Sequence, residues 1–151
     1  MTPAALRSIG LPELFVAGIV LGAFIIPAVL YLISLQRALD RCAPESRTVS
    51  PGKVWLLLIP GFNLIWQFLL VDHLARSLHN EFVKRSLAVS DPAPGKTLGT
   101  TVAILSVLSL IPFAYIGYVT GAVGFVCWIL YWIKIAGYSR TLEASALAAR
   151  A

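Results

Sequence analysis

Charge is what this sequence is shortest of. Charged residues make up 13% of it and hydrophobic ones 58%, against about a quarter and about half in ordinary soluble domains. A water-soluble globule has too little interior to hide so many apolar side chains, and that class is excluded. Acidic residues are scarcer still, seven against twelve lysines and arginines, and none stands deep inside an apolar run. Proton-coupled carriers generally need a titratable carboxylate within the membrane, so a proton antiporter is disfavoured. Two cysteines, Cys42 and Cys127, are too few for a disulfide framework, and both read as reduced packing residues. His73 and His79 are six apart and fall on opposite sides of a helix, unlike the i, i+4 pair of a metal site. There is no Ser/His/Asp arrangement, no HExxH and no phosphate-binding glycine loop. An enzyme would have no nucleophile, base or metal to work with; no catalytic, cofactor-binding or metal residues are expected.

What is present is long apolar runs. Leu14–Leu35 carries 22 uncharged residues, beyond the roughly 7–15 of a secretory signal core and close to the ~20 that cross a bilayer. Its Gly18-x-x-x-Gly22 puts two bare positions on one helix face for close packing, against the chain's own helices or a second copy. Pro27 is expected to kink it. A polar connection follows, and Ser50-Pro51 reads as a helix start, with a capping hydroxyl before proline at the first position.

The second run, "VWLLLIPGFNLIWQFLLV" (54–71), holds Pro60 and Gly61 in its middle. It is either a kinked span or a re-entrant hairpin. Beyond it Leu74, Leu78 and Phe82 recur between polar residues, predicting an amphipathic interfacial helix to about residue 88. Asp72 and Arg76, at i, i+4, read as a surface ion pair. "VSDPAPGK" then breaks the helix. From Thr97 to Ile133 there are 37 residues without a charge, roughly 55 Å as one helix and nearly twice the hydrocarbon thickness. It must fold back. Gly117 and Gly121 in "YIGYVTGAVG" mark the expected turn, giving spans at 98–117 and 120–138.

Basic residues weigh the topology. If the second run crosses, Arg7, Arg76, Lys84, Arg85, Lys96, Lys134, Arg140 and Arg150 share a side, against Arg37, Arg41, Arg47 and Lys53. If it returns at Pro60-Gly61, all but Arg7 share one side, which is cytoplasmic with the C-terminus. The return leaves backbone polar groups at the tip inside the bilayer, each costing several kcal/mol unless partnered. Gly18, Gly22 and the Ser106 and Ser109 hydroxyls are the candidate partners. Asn63 and Gln67, four apart and on one helix face, are the strongly polar side chains of this run. They are expected to hydrogen-bond another helix or to line a small polar path.

The pattern Arg47, Pro51, Gly52, Trp55, Pro60, Phe62, Asn63, Trp66 and Glu81, with Trp128, Trp132, Lys134 and Tyr138 near the end, resembles a family of small bacterial integral-membrane proteins with no established activity. The resemblance runs from Arg47 onward and implies a bacterial inner-membrane location.

The expectation is thus a single all-α membrane domain over 1–151. It has four apolar segments (about 12–35, 53–71, 98–117 and 120–138), the second broken at Pro60-Gly61, plus the interfacial helix. Its expected role is a non-enzymatic scaffold or accessory subunit, packing against itself or a larger membrane complex through Gly18, Gly22, Gly117 and Gly121. The alternative is an oligomeric channel or small-solute transporter whose path passes Pro60, Gly61, Asn63 and Gln67. The bilayer is the expected partner. Nucleic acid is not, because the net charge of +5 flanks apolar segments and forms no face with exposed aromatics.

Overall fold

The structure is a computed structural model that describes residues 10–88, 91–110 and 114–149. The regular structure of those residues is all helical, with no strand among them: α1 (Leu11–Asp40), a 3-10 helix (Pro51–Leu58), α2 (Phe62–Lys84), α3 (Lys96–Leu108) and α4 (Ala114–Ala148). The chain divides into two compact units, Met1–Tyr31 and Leu32–Ala151. The described part of the first is the N-terminal two-thirds of α1, apolar all round, and Pro27 lies inside this helix without ending it.

In the second unit the apolar pattern is turned outward at one end and inward at the other. The core lies among the charged residues. Leu35, Ala38 and Leu39 of α1 pack there with Leu70, Leu74, Leu78 and Phe82 of α2, and with Tyr131, Ile135 and Leu142 of α4. The spacing of three and four in each set is the apolar stripe of an amphipathic helix. Toward the other end the large apolar side chains are exposed: Leu58, Ile59, Phe62 and Ile65, then Ile104 and Leu110, then Val123, Phe125, Val126 and Leu130. So many exposed large apolar side chains exceed the singly scattered ones of ordinary soluble proteins.

The second apolar run does not form one helix. Its first half is the eight-residue 3-10 helix, which packs back against α2. Trp66 Nε1 donates to the Lys53 carbonyl at 2.9 Å; these residues would stand roughly 20 Å apart along a straight helix. The preceding loop continues the return, with Thr48 beside His73 and Ser77, Ser46 beside Asn80, and Glu45 on Lys84. The chain therefore turns round at Pro60-Gly61. Gly61 has φ +78, in the region that only glycine adopts readily. The 3-10 helix begins at Pro51 as the sequence predicts, but Ser50 makes no capping bond with its side chain.

Among the described residues two helices are long and apolar enough to cross a membrane, Pro12–Asp40 and Gly117–Ala148, where four apolar segments were expected, the second as either a kinked span or a re-entrant hairpin. That second segment doubles back. Another, α3, has 13 residues, or about 20 Å against the ~30 Å of hydrocarbon. The expected turn at Gly117 and Gly121 is also displaced, for both lie inside α4. α3 ends at Leu108, before a stretch whose sequence contains Pro112, a residue that lacks the donor a helix needs.

α3 runs antiparallel to both neighbours. Cβ atoms built at its glycines would meet Ile135 and Tyr131 from Gly95, and Val71 and Tyr131 from Gly99. Further along, a Cβ built at Gly124 of α4 would lie 3.3 Å from the Leu105 Cβ. At Gly99 the Val71 and Tyr131 atoms lie 2.7–2.8 Å from the added carbon, so close approach of α2, α3 and α4 depends on this one bare position. Of the expected packing glycines, Gly18, Gly22 and Gly121 are not crowded in this way by the chain itself. A Cβ at Gly121 meets nothing within 4 Å, and within its own unit Gly18 meets nothing and Gly22 only Ile26 of the same helix.

Candidate functional site

Two regions of the second unit carry polar groups beyond those of the helix backbone: the return at Pro60-Gly61, and a clasp that joins three helices at the charged end.

At the return, Ile59 N–H donates to Leu56 O at 3.2 Å, and Asn63 N–H donates to Ile59 O at 3.0 Å. Those two bonds close the turn. Phe62 and Trp66 stack with ring centroids 5.7 Å apart, and the Trp66 indole holds the 3-10 helix through Lys53. Asn63 and Gln67 are half-buried on one face of α2, and among the described residues neither side chain has a hydrogen-bond partner. Ser106 and Ser109 do not serve them or the tip. Each hydroxyl donates within its own segment, to Val102 O and to Ser106 O, both at 2.8 Å. In the third run the helix backbone was the nearer acceptor, as is usual for serine in an apolar helix.

At the charged end, Arg85 reaches from α2 to both other helices. Its Nε donates to Glu81 at 2.7 Å, one terminal nitrogen donates to Leu142 O and Ser145 Oγ of α4, and the other donates to the Arg41 carbonyl just past α1. Arg41 in turn donates to Ser139 and, at 2.7 Å, to Glu143. Glu81 is 2% exposed and accepts from the Ala43 amide at 2.8 Å. Burial alone would raise its carboxyl. The Ala43 amide, the Ser46 hydroxyl and Arg85 outweigh that and hold it below the ordinary carboxylate range. No buried side-chain nitrogen or oxygen is left without a partner among the described residues.

Surrounding pairs are mostly surface ones. Asp72 bridges Arg76 at 2.7 Å, the i, i+4 pair expected from the sequence, and Lys96 at 2.6 Å. The hydrogen bond from Lys96 holds its carboxyl low. Asp91 accepts from Lys134 and from the Ala93 and Gly95 amides, so it shapes the entry to α3 while anchoring α4. His73 Nδ1 sits 3.2 Å from the Thr48 hydroxyl, and His79 is exposed. Among the described residues no three His, Cys, Asp or Glu side chains gather to hold a metal. The Cys42 thiol is buried and donates to Ala38 O at 3.3 Å. Burial, then the nearby Glu81 charge, pushes its pKa up to about 12, which removes the thiolate that reactivity needs.

The residues of the sequence pattern from Arg47 onward are largely the ones that join elements. Arg47 donates to the Cys42 and Asp40 carbonyls and so closes the end of α1. Trp55 donates to Gln36 at 2.8 Å and Trp132 to Ser34 at 2.8 Å. Tyr138 meets Phe82 edge-on, and Lys134 lies over the Tyr138 ring. Sequence reasoning did not find Arg41, Arg85 and Gly99 in their roles. The legible signal was the polar set Ser139, Glu143 and Ser145 inside an apolar C-terminal helix, which implied charged partners elsewhere. Comparison with family models, with curated proteins and with solved structures finds no match.

Proposed function

We propose that this chain is a non-enzymatic integral membrane protein of the bacterial inner membrane, a scaffold or accessory subunit that packs against itself or a larger membrane complex. The observation that carries the membrane reading is the outward-facing apolar end of the second unit, at Leu58, Ile59, Phe62 and Ile65 and at Ile104, Leu110, Val123, Phe125, Val126 and Leu130, next to a core that lies under the charges. Lipid is the solvent in which that arrangement is stable. With the return at Pro60-Gly61, the positive-inside rule puts the loops and the C-terminus in the cytoplasm. α1 then spans the bilayer, and the two remaining pairs, the hairpin and α3 with α4, each enter and leave from the cytoplasmic face.

The accessory reading draws on the tip. The 3-10 helix of eight residues reaches about 16 Å, near the middle of the hydrocarbon. Pro60 and Gly61 are exposed there, with unpartnered Asn63 and Gln67 a turn or two away. Polar groups at that depth call for a protein cover, since lipid offers no hydrogen bonds. At the other end the polar groups are spent on one another, which suits a structural role better than a catalytic one.

The test is labelling of Glu45→Cys and Pro92→Cys, in a chain with Cys127→Ser, by a membrane-impermeant maleimide in vesicles of known orientation. Both should react from the same compartment. Reaction from opposite compartments would refute the return, and a folded, monodisperse chain in buffer without detergent would refute the membrane reading itself. Co-purification in mild detergent of a stoichiometric larger partner would support the accessory role; a closed homo-oligomer would call for the flux assay on Asn63→Leu.

The second reading is a channel or small-solute transporter, favoured by the same pair of unpartnered amides on one face of α2. Flux through liposomes that falls on Asn63→Leu would support it, and unchanged flux would remove Asn63 from the path.

A further inference from the structure

Six of the cations in the described residues are already paired with carboxylates: Arg41, Arg76, Lys84, Arg85, Lys96 and Lys134. Lys53 has no carboxylate partner among the described residues. Arg47 donates only to two backbone carbonyls, those of Cys42 and Asp40, so its charge is not neutralised by an acid either. Both line one open pocket of about 370 Å³, with Pro44, Thr48, Val49, Ser50 and Pro51. No acidic residue is among its lining residues, and the Ser50 hydroxyl makes no capping bond.

The second pocket makes a useful contrast. It is about 130 Å³ and is also lined by cations, Arg76 and Lys96, with His79 and Asn80. There Asp72 bonds both cations from beside the pocket. The Arg47/Lys53 pocket has no such counter-charge.

We propose that the pocket of Arg47, Ser50 and Lys53 seats the phosphate of an anionic phospholipid. Two unneutralised cations and a free hydroxyl suit a phosphate oxyanion, with a point charge from Lys53, a planar donor from Arg47 and a neutral donor from Ser50. The place in the fold selects lipid over free phosphate. The pocket opens where the polar loop becomes the 3-10 helix, and at three residues per turn Lys53 stands in line with Leu56 and Ile59. Ile59 is exposed and Leu56 half-buried, so acyl chains leaving a phosphate at Lys53 run along an apolar column toward the tip. Trp55, tied to Gln36, stands two residues beyond Lys53 in the 3-10 helix, about 4 Å further along its axis, a position suited to the level just under the headgroups. The site would hold the base of the hairpin at the cytoplasmic leaflet, whose anionic lipids attract basic segments. This inference rests on the membrane reading above.

The test uses the full chain in neutral detergent and native mass spectrometry, titrated with phosphatidylglycerol, with phosphatidylcholine and with inorganic phosphate. Phosphatidylglycerol is expected to bind more tightly than phosphatidylcholine. Lys53→Gln should weaken it about fivefold, the factor equivalent to the ~1 kcal/mol of one lysine at an anionic surface. Arg140→Gln, which removes an exposed cation elsewhere, should leave affinity unchanged, and circular dichroism confirms that each variant is folded. Arg47 is kept, because it also closes α1. Equal phosphatidylglycerol affinity in wild type and folded Lys53→Gln overturns the seat while leaving the membrane reading intact. Lys53-dependent displacement of the lipid by millimolar inorganic phosphate overturns lipid as the ligand. A chain folded without detergent fails the membrane reading, and the lipid seat with it, by a result that the affinity measurements do not share.

Discussion

Gly99→Ala adds one carbon where three helices meet, and the structure says what that carbon would touch. It would lie 2.7 and 2.8 Å from the two Val71 methyls and 2.8 Å from Tyr131 Cε2, well inside the 3.5–4.0 Å at which carbon atoms attract. Neither neighbour is a flexible end. Val71 is β-branched and 3% exposed, Tyr131 is 2% exposed, and both are held by packed helices. Overpacking of this kind costs about 1–3 kcal/mol, while alanine gains up to ~1 kcal/mol over glycine in a helix interior. The clash wins, for a net loss of roughly 1–2 kcal/mol, or a fall in Tm of about 2–8 °C in a chain of this size. Gly121→Ala is the control, because its Cβ meets nothing within 4 Å and only the helix-propensity gain remains. Thermal unfolding in neutral detergent, followed by circular dichroism, should therefore move the two variants in opposite directions. If Gly99→Ala is as stable as Gly121→Ala, α3 does not approach α2 and α4 as described.

Three other outcomes follow from the clasp and the return. Arg85→Met leaves the Glu81 carboxylate buried without its cation, a change that costs about 3–5 kcal/mol; denaturant unfolding should show it, with Glu81→Gln in the same chain recovering part of the loss. Glu81 is held below its usual 4.5, and Asp72 and Asp91 below their usual 3.8. Their stabilisation is therefore complete above those values and is lost as pH falls through the lower folded ones. Unfolding measured from neutral pH into this acid range should show the loss, and Glu81→Gln should make the acid limb shallower. Gly61→Ala meets no atom within 4 Å but must hold φ +78, so it should cost about 1–2 kcal/mol of backbone strain. Thermal unfolding in neutral detergent should show the loss, and a Tm equal to that of the wild type would refute a strained turn at Gly61.

Apolar excess, helical periodicity and punctuation by proline and glycine are local properties, and they were legible. The broken second segment, the amphipathic pattern of Leu74, Leu78 and Phe82, the Asp72–Arg76 pair and the loop around Asp91 all correspond to structure. The charge count also pointed to the return at Pro60-Gly61, though the residues left a kinked span open. A proline and a glycine end a helix; they do not say in which direction the chain leaves. That direction was decided at long range by Trp66 on Lys53, Thr48 on Ser77 and Glu81 on Ala43.

The crowded glycine was not picked out from the sequence. Gly18-x-x-x-Gly22 has the spacing of a contact motif, and so has Gly95-x-x-x-Gly99, where the close approach to α2 and α4 falls. Spacing records which positions share a face, but the neighbour's shape determines which of them is crowded. The uncharged stretch from 97 to 133 was likewise certain to fold back on length alone, and the helix ends at Leu108 and Ala114 put the reversal earlier than its glycines suggested.

The sequence by itself determined the composition of the surface, the helical periods and the places where the backbone is interrupted, because each depends on residues within a few positions of one another. Only the tertiary structure decided the return of the second segment, the Arg41–Arg85–Glu81 clasp and the crowding at Gly99. Each of those joins residues far apart in the chain, and their energy depends on which groups meet after the helices have packed.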